Sequence, residues 1–338
     1  MITVNSKLRG LNLFFNKLQK KIGGTLKVTS NEQFLKINNN IGKGTIRSIN
    51  LDGGISLLEF NITPKEDLKI AVDAKADTHI NFVYCSKGKI SHSFENNATK
   101  NTVETFQTSI VSNIVSEENT ITLYKGIETS STIISVNTAD DNSQQTDINN
   151  LLKDAFIAGK TKDYIYLGSY NLKIAEHIKQ LKSIENKGVV RALLTKGIVN
   201  LILGLEIEQH KKDINSNANS NGSLTQNEME LIKELTDYVN NYPDLDHKIN
   251  VLTRKIGLTA AKIQEGFKLM HGLTVCEYIR SVRLKKSEEL IINTDLSISE
   301  IVYSLGFSSR SYFSKRFREK YNCSPRDYKK KNKLAMTA

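Results

Sequence analysis

The sequence predicts an α+β protein in parts: a β-rich N-terminal domain (1–140), a helical middle segment (148–213), a linker (214–223) and an all-α C-terminal domain (224–338). Three observations carry that reading. From Leu26 to about Asn137 apolar residues recur with a period near two, the mark of half-buried strands. After the polar run from Asp140 to Asn149 the period becomes helical. The stretch from Lys248 to Lys331 then states one pattern twice. Ile263, Phe267, Gly272, Thr274 and Tyr278 return as Phe313, Phe317, Asn322, Ser324 and Tyr328, each fifty residues on.

The N-terminal segment is basic, but its run Leu11-Asn12-Leu13-Phe14-Phe15 is too short and interrupted for a signal-peptide core. No apolar run approaches the ~20 residues that span a bilayer. A soluble, cytoplasmic protein with no membrane partner is therefore expected. Ile80, Phe82 and Tyr84 alternate with Asn81, Val83 and Cys85; the turn Ser86-Lys87-Gly88 leads on into Lys89–Phe94, which reads as a hairpin. Further strands are expected at 55–60, 106–114, 121–124 and 132–136, and many short strands imply a sandwich or barrel. Phe82, Tyr84, Phe94 and Phe106 read as core.

His79 and His92 stand apart, with no His-x-His pair and no glutamate partner, so neither a metal nor another cofactor is expected. Cys85, Cys276 and Cys323 form no CxxC pair, which argues against a zinc site or a disulfide framework and favours buried, reduced thiols.

Helices are expected over Ile148–Ala158, from Asn171 onward, and over Lys187–Lys212. In the last, Leu194, Ile198, Leu201 and Leu205 align along one face. That seam is either a dimer contact or the side packed on the chain's own β-rich domain; the sequence admits both. Asn215 to Ser223 is a low-complexity hinge with nothing to bury.

Charge sets the C-terminal part aside. From Lys248 onward 19 Lys and Arg face 8 Asp and Glu, a balance of +11, whereas residues 1–247 hold 28 of each. The whole surplus sits on the repeat, as expected where phosphate backbone is bound. Capping boxes at Thr225-x-x-Glu228, Thr274-x-x-Glu277 and Ser297-x-x-Glu300 open helices, and Ser324-Pro325 with Asp327 opens the last one. In each copy a helix with one apolar face (Ile249, Leu252, Ile256; Ile298, Ile301, Val302, Leu305) stops at Gly257 or Gly306. Thr259 or Ser308 then caps a second helix, held down by Ile263 and Phe267 or by Phe313 and Phe317. The turns are offset by 49, so the second copy carries one extra residue before its anchor. Two amphipathic helices about a short glycine turn make a helix-turn-helix, whose second helix enters the DNA major groove.

The run Gly306-Phe307-Ser308-Ser309-Arg310-Ser311-Tyr312-Phe313-Ser314-Lys315-Arg316-Phe317, closed by Ser324-Pro325-Arg326-Asp327-Tyr328, resembles the C-terminal signature of the AraC/XylS family of transcription regulators. The first copy and the connecting helix match too, over roughly the last hundred residues. Gly168-Ser169-Tyr170-Asn171-Leu172 and Ile207-Glu208-Gln209-His210 are similar to the siderophore-responsive branch of that family. The resemblance implies a sequence-specific regulator, an activator, with double-stranded promoter DNA and RNA polymerase as partners. It also implies a cupin-like sensor domain at the N-terminus, controlled by a small-molecule effector, and a homodimer. The alternative is a bifunctional protein whose β-domain is a cupin-like enzyme; its scarce histidines argue against that, and no catalytic residue is assigned.

In the second copy Arg310, Ser311, Ser314 and Lys315 lie opposite the apolar anchors and match the family's base-reading positions. Arg310 suits guanine O6 and N7, and Lys315 the same edge or a phosphate. The matching residues of the first copy are Ala261, Gln264 and Glu265, with Lys262 beside them. Gln264 suits adenine, Glu265 cytosine N4 and Ala261 a thymine methyl. The family's bulky or basic residue is missing there, so weaker binding or shape readout is expected of the first copy. Thr259, Arg283, Arg316, Arg318 and Lys320 are candidates for phosphate contacts, and Tyr278 and Tyr328 for core anchors. The two reading helices are expected in adjacent major-groove segments, ~34 Å apart.

Overall fold

The computed structural model describes residues 2–7, 11–29, 31–73, 79–95, 97–116, 118–139, 147–215 and 224–336. The chain divides into two compact units, 1–221 and 222–338.

The first unit runs β1 (Ile2–Lys7), α1 (Leu11–Ile22), β2 (Thr25–Val28), β3 (Glu32–Asn38), β4 (Gly42–Leu51), β5 (Ile55–Pro64), β6 (Leu68–Asp73), β7 (His79–Lys87), β8 (Lys89–Phe94), β9 (Asn97–Glu104), β10 (Gln107–Ser112), β11 (Glu118–Leu123) and β12 (Thr129–Asn137). There follow α2 (Asp147–Phe156), β13 (Tyr164–Tyr170), α3 (Leu172–Lys182) and α4 (Gly188–Asn215). The strands form a five-stranded sheet, β1-β6-β11-β8-β9, and an eight-stranded one, β13-β10-β7-β12-β5-β4-β3-β2. Side chains from both fill one core: Leu35, Ile46, Phe60 and Val83 from the larger, Ile70, Ile90, Val103 and Leu123 from the smaller. Helix α1 adds Phe14, Phe15, Leu18 and Ile22 to it, each at most 1% exposed. This is a two-sheet sandwich.

The other face of the large sheet is covered by helices. Phe82 meets Phe156 of α2 edge-on, with ring centroids 5.7 Å apart. The Tyr84 hydroxyl donates to the Asn171 carbonyl at 2.7 Å, where α3 begins. Helix α4 turns Thr195, Val199, Ile202, Leu203 and Glu206 inward. Its last turn is tied to β13: Asp213 accepts from the Ser169 amide and hydroxyl, each at 2.8 Å, and from the Tyr166 hydroxyl. Tyr164 and His210 share a further bond of 2.8 Å.

Several expectations are corrected here. The stretch 80–94 is not a hairpin, because β7 pairs with β10 and β12 while β8 pairs with β9 and β11; the turn at Gly88 (φ 70°) carries the chain from one sheet to the other. Val83, Cys85 and Ser86 are buried along with Phe82 and Tyr84, since β7 has the sandwich core on one side and helices on the other. Strand β13 interrupts the segment expected to be helical throughout; its tyrosines pair with β10, a partner lying more than fifty residues upstream. Helix α2 starts at Asp147, inside the expected polar linker, whose residues 140–146 lie outside the described residues. Helix α4 runs on to Asn215, and positions 216–223 of the expected hinge also lie outside them. The seam on α4 is not its packed side: Leu194 and Leu201 are exposed. By length and composition α4 is apolar enough to cross a membrane (mean hydropathy 1.6), which the expectation of no such run had missed. All three cysteines are free, but Cys85 alone is buried; Cys276 is exposed and Cys323 half-buried.

The second unit is all helical: α5 (Gln226–Asn241), α6 (Ile249–Ile256), α7 (Ala260–His271), α8 (Val275–Asn293), α9 (Ile298–Ser304), α10 (Arg310–Tyr321) and α11 (Pro325–Met336). All three capping boxes form, on α5, α8 and α9. The repeat is exact in space as well as number. Phe267 packs edge-on against Tyr278 at 5.3 Å and 70°, and Phe317 against Tyr328 at 5.5 Å and 78°. Both reading helices end in the left-handed conformation, at Gly272 (φ 69°) and Asn322 (φ 57°), one of the few non-glycine residues that tolerate it. The cap of α10 is Ser309 rather than Ser308; the extra residue of the second copy is spent in the turn, so α7 and α10 start fifty residues apart.

Candidate nucleic-acid interface

The outward face of α10 follows from its anchors. Phe313 and Phe317 are fully buried, which turns Arg310, Ser311, Lys315 and Arg318 to the outside, with Ser314 partly covered between them. At 100° per residue these five side chains span less than half of the helix circumference. Ser309 accepts from the Tyr312 amide at 3.2 Å and so fixes where the helix starts. The result is a cationic, hydroxyl-bearing ridge at a helix N-terminus, whose own dipole favours anions. Arg318 shares this ridge, two turns below Ser311, and the expected split between base-reading and phosphate residues does not follow from its direction.

The first copy is built otherwise. Ala261 is exposed, but three neighbouring polar residues are partly covered. Lys262 reaches back to Glu228 of α5 at 2.5 Å; that contact, first among its causes, holds the Glu228 carboxyl below its usual range. The Gln264 side-chain oxygen accepts the Val275 amide at 3.2 Å, satisfying a free donor at the start of α8. Glu265 is half-buried. Sequence reasoning missed Lys268, which is exposed on the same face as Ala261 and is the repeat equivalent of Arg318; the fifty-residue offset was the signal that would have found it.

The phosphate candidates also divide. Thr259 is the exposed N-cap of α7, accepting from the Lys262 amide at 3.3 Å. Arg316 bonds Glu319 at 2.8 Å and lies over the Tyr312 ring, and both contacts raise its pKa. Lys320 leans toward the Ser281 carbonyl at 3.5 Å, its pKa lowered by partial burial. Arg283 departs furthest from expectation. Its Nε donates to the Pro243 carbonyl at 2.8 Å, and its two terminal nitrogens to the carbonyls of Gly306 at 2.8 Å and Leu245 at 2.9 Å. Burial lowers its pKa, with Asp246 and Asp244 acting the other way. Half-buried, with three of its donors on backbone carbonyls, Arg283 is held by the chain itself.

A family model described as a helix-turn-helix domain matches residues 252–331, from α6 through most of α11. The C-terminal unit belongs to the AraC/XylS family. The chain is matched by these curated relatives over less than half of its length. It is similar to the Msm operon regulatory protein of Streptococcus mutans, 34% identical over 100 residues, covering 28% of this chain and 36% of that protein. It is also similar to the HTH-type transcriptional regulator MtrA of Neisseria gonorrhoeae, 30% identical over 142 residues, 42% of this chain and 45% of that one. The chain thus spans less than half the length of either relative. Among solved structures it is similar to the C-terminal domain of the response regulator yesN from Fusobacterium nucleatum, 28% identical, covering 31% of this chain and 99% of that one, with a TM-score of 0.27.

In the sandwich, His79 and His92 belong to different sheets. The His92 ring is buried against Asn119, 2.5 Å from its side-chain oxygen, and burial lowers its pKa to about 4. Among the described residues no group of three or more His, Cys, Asp or Glu is placed to hold a metal ion.

Proposed function

We propose that the chain is a sequence-specific DNA-binding transcription regulator that reads a bipartite site with α10 and α7. One observation carries the proposal: α10 presents Arg310, Ser311, Ser314, Lys315 and Arg318 on one face of a repeat, from Lys248 onward, that holds all of the protein's surplus positive charge. Arg310 and Lys315 take the base-reading roles at the strong half-site, with Ser311 and Ser314 beside them. Ala261, Glu265 and Lys268 make the weaker contact. Thr259 and Arg318 meet the phosphates on either side.

The two-sheet unit is the sensor in this reading, cupin-like in its placement and its paired sheets, and it responds to a small-molecule effector. The exposed apolar side of α4 (Val190, Leu193, Leu194, Leu201) supports a homodimer, since water is a poor neighbour for a stripe of that length. Arg191 bonds Glu32 at 3.3 Å and Lys196 bonds Asp52 at 3.2 Å, holding α4 to the sheets, which supports a cytoplasmic protein. The names of these two relatives, a regulatory protein and a transcriptional regulator, favour a regulator over an enzyme, and in this reading it activates promoters together with RNA polymerase.

The test is a selection of bound duplexes from a random pool, followed by a salt titration on the selected and a scrambled sequence. A recovered motif, bound at least a hundredfold more tightly than scrambled DNA at moderate salt, is the expected outcome. Equal binding across the titration would sink the proposal.

A further inference from the structure

Arg283 stands at the middle of α8, which packs against α7 of the first module and against α9 and α11 of the second. Its three carbonyl partners come from two places. Pro243 and Leu245 belong to the loop between α5 and α6, which leads into the first helix-turn-helix; Gly306 is the turn of the second. One side chain therefore bridges the approach to one module and the elbow of the other.

The bridge has features of a gauge rather than of a generic contact. Every acceptor is backbone, so the bond lengths report chain position and not side-chain choice. A guanidinium is a rigid plane with its donors at fixed angles, and it holds carbonyls at set separations where a flexible ammonium does not. Gly306 adopts φ 67°, and a β-carbon there would stand 3.1 Å from the guanidinium nitrogen, so the elbow is shaped to let Arg283 in. The extra residue of the second copy lies directly after this point, at the one turn the arginine grips.

We propose that Arg283 is a positioning residue that sets the separation and phase of the two reading helices, and so fixes the number of base pairs between the half-sites this protein accepts. The inference rests on the DNA-reading function proposed above. One inserted base pair moves a half-site by ~3.4 Å along the duplex and turns it by roughly a tenth of a revolution. A stiff bridge refuses that displacement; a loosened one follows it.

The experiment uses the full chain. After the selection has given the motif, wild type and Arg283→Met are titrated against duplexes with zero, one and two base pairs added between the half-sites. Wild type is expected to lose at least tenfold in affinity for one added pair, and Arg283→Met less than threefold, with both half-motifs still selected. Arg283→Lys, which keeps charge and stem, should fall between them and covers the case in which the methionine variant fails to fold. A variant whose insertion penalty stays within twofold of wild type overturns the proposal. So does a uniform loss on all sequences with a shallower salt slope, which is the signature of a phosphate contact. A second arm needs no DNA: spin labels at 261 and 311, in a chain with its cysteines replaced, should give a narrow distance distribution that Arg283→Met broadens. An unchanged distribution also overturns the bridge, whereas wild type selecting no motif sinks the proposed function and leaves this arm to decide.

Discussion

The two helix-turn-helix modules share the length of the reading helix, an aromatic pair and a left-handed stop, yet they put their polar residues to different use. Position 266 and its repeat equivalent 316 show why. The first module has α5 docked behind it, and Gly266 is what lets it in: a β-carbon there would lie 2.5 Å from Ile232. At the equivalent place in the second module stands Arg316, set over Tyr312 and bonded to Glu319. The same contrast governs the reading face. Lys262 and Gln264 are tied to Glu228 and to the Val275 amide, and Glu265 is half-buried where its repeat equivalent Lys315 is exposed. A duplicated module can thus be divided between support and readout, and its neighbours determine which copy takes which task.

The comparison is sharpened first by exchange at that position. Gly266→Val should cost the second unit about 3 kcal/mol, because the added atoms have no space between α5 and α7. Arg316→Ala should leave stability nearly unchanged, since its ion pair is at the surface. Denaturant melts of the two variants would break the contrast if they came out alike.

Next comes readout. Arg310→Ala is expected to cost ~1–3 kcal/mol on the selected site and to relax the preference at one base pair. Gln264→Ala should instead leave base preference intact and cost the fold about 1 kcal/mol, the value of an acceptor lost at a helix start. Fluorescence anisotropy on single-base variants of the site, with thermal melts alongside, separates the two. Smaller again are Lys268→Ala and Arg318→Ala, each predicted to lower the log–log salt slope by about one while weakening all sequences alike. If Arg318→Ala narrowed or shifted base preference, its place on the α10 ridge would have to be read as a base contact.

Smallest at neutral pH, but of definite sign, is an acid effect confined to the first module. His271 stacks on Tyr278 at 4.0 Å, and burial lowers its pKa to about 4. Its repeat equivalent is Tyr321, which does not titrate in that range. The unfolded chain takes up its proton near pH 6.5, so the stability His271 contributes is complete above that value and declines as the pH falls toward 4. His271→Tyr should flatten the melting temperature over this window; an unchanged pH profile would remove His271 from the account.

Much of the second unit was legible in the sequence because its cues are local. Capping boxes, helix stops and an i, i+4 aromatic pair are written within a few residues of where they act. What escaped was non-local. Nothing near Arg283 announces that its partners are the carbonyls of residues 243, 245 and 306. Likewise Lys262 and Gln264 looked free until α5 and α8 were in place. In the first unit, strand periodicity located most strands but not their partners. The tight turn at Gly88 suits a hairpin equally well, and only the pairing of β7 with β10 and β12 rules that out. The run Leu11–Phe15 reads locally as a failed leader core, and only the sheets it packs on make Phe14, Phe15, Leu18 and Ile22 the buried face of α1.

The αL stops at 272 and 322 and the caps at 259 and 309 enclose twelve helical residues in each module, whatever the length of the turn before them. The second unit thereby holds two reading helices of one length between matching stops and caps. The outward residues of one can be transplanted onto the other without recutting the scaffold, so the operator vocabulary of this protein can be rewritten half a word at a time.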